Sequence, residues 1–360
     1  MKTRLSRSFA VLFVVLLSFL SFGVLVVKAQ SKSLWVPNMY PTIQEAIEAA
    51  KNGDKIYIRG GTFDGPQNQT LVIDKSISLI GETAQTTTLT LHPPTVNHHI
   101  WGQTYSNSIK IVANNVKLSG LTINSGGGIL SISGNDAQVI HSSINTQISV
   151  TGIRSQITHN ILPSLFLKGS EHTISNNNVS GTYSPLWLED SVDNIITENK
   201  ITGDVGVHLR SSTGNQFISN QIVSKNCIQI DNYVGITHEQ TRLSDNNVFF
   251  KNTFMGESKN IVAYNSVNNT WDNGREGNYW SDYAGTDLDE DGIGDIPYVI
   301  DLLNEDNYPL MLPYDVEHDS IVLPSPKPEL EFPSTIALAS IIIGVTAGIG
   351  IILYFKKRRI

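Results

Sequence analysis

One pattern limits the fold of this chain more than any other: apolar-x-x-Asn-x-apolar, repeated along its middle. It runs from Ile157 to Leu162 around Asn160 and from Ile174 to Val179 around Asn177. It returns from Ile196 to Ile201 around Asn199, from Phe217 to Ile222 around Asn220, and from Phe249 to Phe254 around Asn252. Two earlier stretches, Leu118 to Ile123 and Val139 to Ile144, keep the apolar pair without the asparagine. Successive starts lie 17 to 22 residues apart, except for a last gap of 32. A unit this short cannot hold a helical hairpin, and the regularly spaced leucines of leucine-rich repeats are absent. It fits one coil of a β-solenoid, in which inward residues alternate with outward ones and coils stack about 4.8 Å apart. The predicted fold is all-β, a right-handed parallel β-helix of about eight coils at roughly 20 residues per coil.

The asparagine has a physical role in such a coil. The chain must turn between its two apolar anchors, and asparagine tolerates the left-handed backbone that a corner needs. Stacked asparagines can also pass hydrogen bonds from side-chain amide to the backbone of the next coil. A second, shorter series appears at Asn194, Asn215 and Asn247, two residues before each anchor. Asn199, in the longer series, is expected to matter more to stability than Asn215.

Composition agrees. Only 16% of residues are charged and the formal net charge is -8, so no basic face is available for nucleic acid. The single cysteine, Cys227, excludes an internal disulfide. The two ends are different in kind. Lys2, Arg4 and Arg7 precede an apolar run from Phe9 to Val27, which reads as an export signal over residues 1–29. Near the other end, residues 334–355 read as one transmembrane helix, long enough to span a bilayer core. The basic tail 356–360 would stay in the cytoplasm, which puts the solenoid outside the cell membrane. Between solenoid and membrane, 317–333 is a proline-rich linker, a semi-rigid spacer. The solenoid with its N-terminal cap is expected over 30–270 and a C-terminal cap over 271–316.

Solenoid ends need covers. Thr42 and Glu45 form a capping-box pattern, Ile43, Ala46, Ile47 and Ala50 line one face of a helix over about 42–51, and Lys55 to Ile58 alternates as a strand. The stretch from Tyr40 to Phe63 resembles the start of pectin-lyase-like β-helix proteins, in which a short amphipathic helix plugs the first coil. The aromatic-rich stretch from Trp271 to Tyr283, with the acidic loop after it, resembles the tails of NosD-like β-helix surface proteins. That resemblance covers roughly Leu34 to Pro313 and implies the fold rather than a reaction.

Three kinds of chemistry are candidates. Asp287, Asp289 and Asp291, with the Ile293 carbonyl and Asp295, are spaced as oxygen ligands for a structural calcium ion. Tyr298 stands where an EF-hand loop would end in glutamate, so Asp301 or another residue must complete the shell. His141 and His159 hold the same position in adjacent coils and would stack about 5 Å apart, as a transition-metal pair. NosD-type proteins proper are linked to copper-site maturation in nitrous oxide reductase, but Met39, Met255 and Met311 are scattered and Cys227 is alone, which argues against copper delivery. For carbohydrate chemistry, the Asp-Asp, Gly-His-Gly and Arg-x-Lys strings of polygalacturonases are absent between Leu34 and Pro313. Arg210 and Asp231 are the pair that would mark an enzyme. The expected work is therefore binding or structural, toward carbohydrate, an envelope component or another surface protein. A polysaccharide-acting enzyme and a metal-handling accessory protein are the rivals.

Overall fold

The computed structural model describes residues 31–94, 98–100, 103–232, 242–263, 268–314 and 316. The export signal, the linker, the apolar segment 334–355 and the basic tail lie outside the described residues. Among those described, no helix is long and apolar enough to cross a membrane.

The chain is a parallel β-helix whose strands stack into three faces. The first is a sheet of ten strands running from Ser33–Val36 to Val248–Phe250. Its inward positions form one column in unbroken register: Leu34, Ile56, Leu79, Leu118, Val139, Ile157, Ile174, Ile196, Phe217 and Phe249. The seven predicted anchors stack as expected, and three more coils precede them. Those coils do not fit the motif because their second anchors are spaced differently: Phe63 and Leu89 join the second column seven and ten residues after Ile56 and Leu79, so ten strands stand where about eight coils were expected.

The second anchor of each motif lines the second face, through Ile123, Ile144, Leu162, Val179, Ile201, Ile222, Phe254 and Trp280. The third face carries two inward columns, including Ile109, Leu130, Ile148, Leu165, Leu186, Val207 and Ile228. In later coils the strands Lys200–Arg210, Gln221–Asp231 and Thr253–Ala263 run round the corner and join the second face to the third. Like stacks on like in every column, so each coil buries the apolar edge left by the one before.

The asparagines form the predicted ladder, and it is longer than the motif suggested. Asn160, Asn177, Asn199 and Asn220 each donate their backbone N–H to the Oδ1 of the next asparagine, at 2.9–3.0 Å, ending on Asn252. Asn252 continues to Asn278 at 3.1 Å. Each Nδ2 donates to a carbonyl of the coil below, as Asn199 does to Ile174 at 2.9 Å. The second series is equally complete. It runs from His172 through Asn194, Asn215 and Asn247 to Asn269. His172 substitutes for asparagine by accepting the Ser155 N–H on Nδ1 at 3.0 Å, and burial pushes its pKa down to about 4, so it is neutral. Asn199 and Asn215 are both fully buried and make the same set of bonds, which removes the expected difference between them.

The left-handed residue is not the ladder asparagine, contrary to expectation. It is the residue before it: His141, His159, Asn176, Glu198, Ser219 and Lys251 all have φ between 50° and 58°. The same holds before the second ladder, at Glu171, Asp193, Gly214, Asn246 and Asn268. One residue makes the corner and the next makes the bonds.

Both ends are closed. The helix Ile43–Ala49 buries Ile43, Ala46 and Ile47, and Thr42 Oγ1 accepts the Glu45 N–H at 3.2 Å. The helix ends where Ala50 turns extended, ahead of Gly53. At the other end the column widens from isoleucine to stacked rings, Phe217 on Phe249 on Trp271, while Phe254 packs on Trp280 and Trp280 on Tyr298. The longer ladder ends on a carboxylate: Asp306 Oδ2 accepts from Asn278 N–H at 2.7 Å and Trp280 Nε1 at 2.8 Å, and Oδ1 from Tyr308 N–H at 3.0 Å. Gly277 must be glycine, because a Cβ there would overlap this carboxylate.

Two measurements test this account. Asn199→Leu and Asn215→Leu should each destabilise by about 3 kcal/mol or more in a urea melt, because each orphans several buried donors and acceptors. Glu198→Gly, one residue away, should be neutral or stabilising by up to about 1 kcal/mol, since it relieves a left-handed side chain. The second concerns Asp306, whose pKa burial raises to about 6 from 3.8. A folded-state pKa above the unfolded one gives stability that is full below pH 3.8 and is lost as pH rises through 6. The cap should therefore be more stable at pH 5 than at pH 7.5, by about 1 kcal/mol, and Asp306→Asn should abolish that difference.

Candidate functional site

The third face presents its outward residues in one column across successive coils: Ser131, Ser149, Phe166, Trp187, His208 and Gln229. The aromatic members touch. Phe166 and Trp187 meet edge to face with centroids 6.2 Å apart, and Trp187 stacks on His208 at 4.7 Å. Beside Phe166 and Trp187 the corner segments at Pro163–Ser164 and Gly181–Pro185 rise into a wall, enclosing a cleft of about 430 Å³. Tyr183 stands on that wall with 79% of its surface exposed. The rest of the lining mixes hydroxyls, from Ser149, Ser164, Thr182 and Ser184, with Gln147 and the aliphatic Ile129 and Leu165, and it includes no acidic or basic side chain. Flat apolar rings among hydroxyls suit a ligand that is itself amphipathic, with apolar ring faces and hydroxyl edges.

The sequence carries a legible sign of this cleft. Phe166, Trp187 and His208 each sit between two buried aliphatic residues of their strand, as in Leu186-Trp187-Leu188. A ring at the outward position of a strand is not needed for the core.

Beside this column, two residues further along each strand, the next outward column is ionisable. Glu189, Arg210 and Asp231 pair in register in adjacent coils, so the Arg210–Asp231 proximity considered from sequence is real. Asp231 Oδ2 accepts from His208 Nε2 and from Gln229 Nε2, both at 2.8 Å. The His208 bond holds the Asp231 pKa below the usual carboxylate range, against the opposing effect of burial. Nearby, Asp190 pairs with Lys168 at 2.9 Å and with Arg242.

His141 and His159 stack as predicted, with ring centroids 4.8 Å apart, at the edge of a second cleft of about 390 Å³. Burial, then the neighbouring His159 and Lys117, lowers the His141 pKa. No third histidine, cysteine or carboxylate joins the pair among the described residues; the only set of three that converges is Asp287, Asp289 and Asp291.

The ligating oxygens of those three aspartates lie within 4.8 Å of one another. Asp287 also accepts the N–H groups of Asp291 and Gly292, and Asp291 that of Ile293, so the loop folds around its own carboxylates. Asp295 stands apart from the three and accepts the Leu288 N–H at 2.9 Å, closing the loop. Ile293 bridges to Leu310. Asp301 does not complete the shell: it accepts the N–H groups of Leu303 and Asn304 in its own turn. The Tyr298 hydroxyl donates to Asp282.

Residues 67–285 match the family described as "Periplasmic copper-binding protein (NosD)". Two curated proteins, each named "Probable ABC transporter binding protein NosD", from Pseudomonas aeruginosa and Stutzerimonas stutzeri, are 40% identical to the chain over 55 residues. Those residues are 15% of this chain and 13% of each relative. Among solved structures, pectin methylesterase PemA from Erwinia chrysanthemi is similar at 14% identity and a TM-score of 0.41, over 67% of this chain and 89% of that one. The Dettilon tailspike protein is similar at 13% identity and a TM-score of 0.45, over 70% and 65%. Among the described residues, the converging set of three is all hard oxygen, the imidazole pair of His141 and His159 has no third donor, and Cys227 is buried with its pKa pushed up to about 12.

Proposed function

The chain belongs to the NosD family, and from that membership we propose that it works outside the cytoplasm as a glycan-binding protein. The cleft over Phe166 and Trp187 is its ligand site, and the apolar segment 334–355 holds it at the membrane. The observation that carries this reading is the outward aromatic column beside a hydroxyl-lined cleft. A sugar ring can lay its apolar face across the outer edge of the Phe166–Trp187 pair and turn its hydroxyls to the rim, so apolar contact and hydrogen bonding are satisfied together. Hydrolysis inside the cleft would require a positioned acid or base. The cleft lining has neither, which favours binding there over bond cleavage.

The test is a glycan array, followed by calorimetry on any hit, with the full-length chain in detergent. Trp187→Ala should weaken binding roughly ten-fold, the loss expected for one ring stack. Array binding that survives this substitution unchanged would sink the reading.

We also propose that the loop of Asp287, Asp289 and Asp291 takes a structural calcium ion that stiffens the C-terminal cap. Three converging carboxylates suit a hard cation, with water or backbone carbonyls as the remaining ligands. Chelation should lower the melting temperature of the wild-type chain and leave Asp289→Asn unmoved. An unchanged wild-type melt would remove the ion from the account.

A further inference from the structure

The ionisable patch beside the cleft has no part in stacking a sugar on Trp187, and it forms the neighbouring outward column of the same face, two residues further along each strand. Resting on the glycan-binding reading, we infer that the site has a second subsite at Asp231, so that the ligand is a neutral or amino-sugar polymer lying parallel to the β-helix axis.

Three observations lead there. The first is spacing. Outward residues of successive coils stand about 4.8 Å apart, close to the length of one pyranose ring. A sugar polymer along the axis can therefore meet Phe166, Trp187, His208 and Gln229 in turn, one coil at a time. The second is the preparation of Asp231. His208 and Gln229 fix its Oδ2 from two sides, while 27% of its side chain stays exposed. A carboxylate oriented and exposed in this way is an acceptor for a hydroxyl pair or an ammonium group. His208 links the two parts directly, since the ring that stacks on Trp187 also donates to Asp231.

The third is charge. Glu189 and Asp231 flank Arg210 along the column, and Asp190 is already paired with Lys168 and Arg242. Within this column two carboxylates stand to one guanidinium, which favours hydroxyls or an ammonium group at Asp231. The extra cation on Asp190 brings the wider patch to balance, so discrimination against a uronate is local to Asp231. Asp231 is thus a specificity-determining residue, two coils beyond the Trp187 stack.

The experiment is calorimetry with a ladder of oligosaccharides, from disaccharide to hexasaccharide, in three series: β-1,4-glucan, chitosan and polygalacturonate. Wild type should bind the glucan or chitosan series with affinity that rises at least ten-fold between short and long members, and should not bind the uronate series. Asp231→Asn should erase the gain with length and leave the short members, which reach only the Trp187 cleft, unchanged. Its melting temperature checks that the fold persists, and Gln229→Ala, which loosens the carboxylate without removing it, should give an intermediate loss. Tight uronate binding, strengthened by Asp231→Asn, would overturn the inference. So would affinity that rises with length equally in wild type and variant. Absence of binding in every series would instead overturn the glycan-binding reading beneath it.

Discussion

A buried backbone N–H at a corner must find an acceptor, and in this molecule that need is met by the side-chain oxygen of the next coil. Each corner turns inward with its N–H groups facing the stack, where water cannot reach them. An unmet donor there costs about 1–3 kcal/mol, and the penalty would recur at every coil. Asparagine answers it because one amide offers an acceptor and donors together. Oδ1 takes the N–H of the coil before, and Nδ2 returns a bond to a carbonyl of the coil below. From Asn160 onward the two ladders reinforce where each coil sits on the last, while the aliphatic columns already hold register in the coils before them.

The division of labour at the corners frees the surface. The left-handed residue before each ladder asparagine points to no partner the fold requires, and it is histidine, asparagine, glutamate, serine or lysine in successive coils. Its backbone cost is offset by the bonds its neighbour makes. The outward positions of the third face are similarly free of the core. The stack supplies a rigid, evenly graduated surface, and chemistry is written on it without disturbing the inside. Phe166, Trp187, His208 and Asp231 are such writing.

Much of this was legible in the residues. The seven anchors, the asparagine ladder, the helix over Ile43–Ala49 and the strand Lys55–Ile58 all stand where the pattern put them. Leu34, Ile56 and Leu79 escaped because longer corners follow them, which moves the second anchor out of the five-residue spacing. His172 escaped because its imidazole does an amide's work without an amide's name. The corner conformation was assigned to the wrong residue of a correct pair, since asparagine's tolerance of left-handed backbone and its bonding capacity predict different positions. Asp306 could not have been read at all: its role depends on a return of the chain from the cap to Asn278. The cleft lay between the two, its rings visible in the strands but its wall built by corners far apart in sequence.

The ladder has a direction. At each ladder position the N–H points to the coil that follows, so the last rung always needs an acceptor from beyond the repeats. Nothing within the repeats supplies it. Asp306 does: a side chain that is acceptor-only when ionised takes the last amide's N–H and offers no successor. The residue that ends the count also keeps the open end from adopting a strand of some other chain.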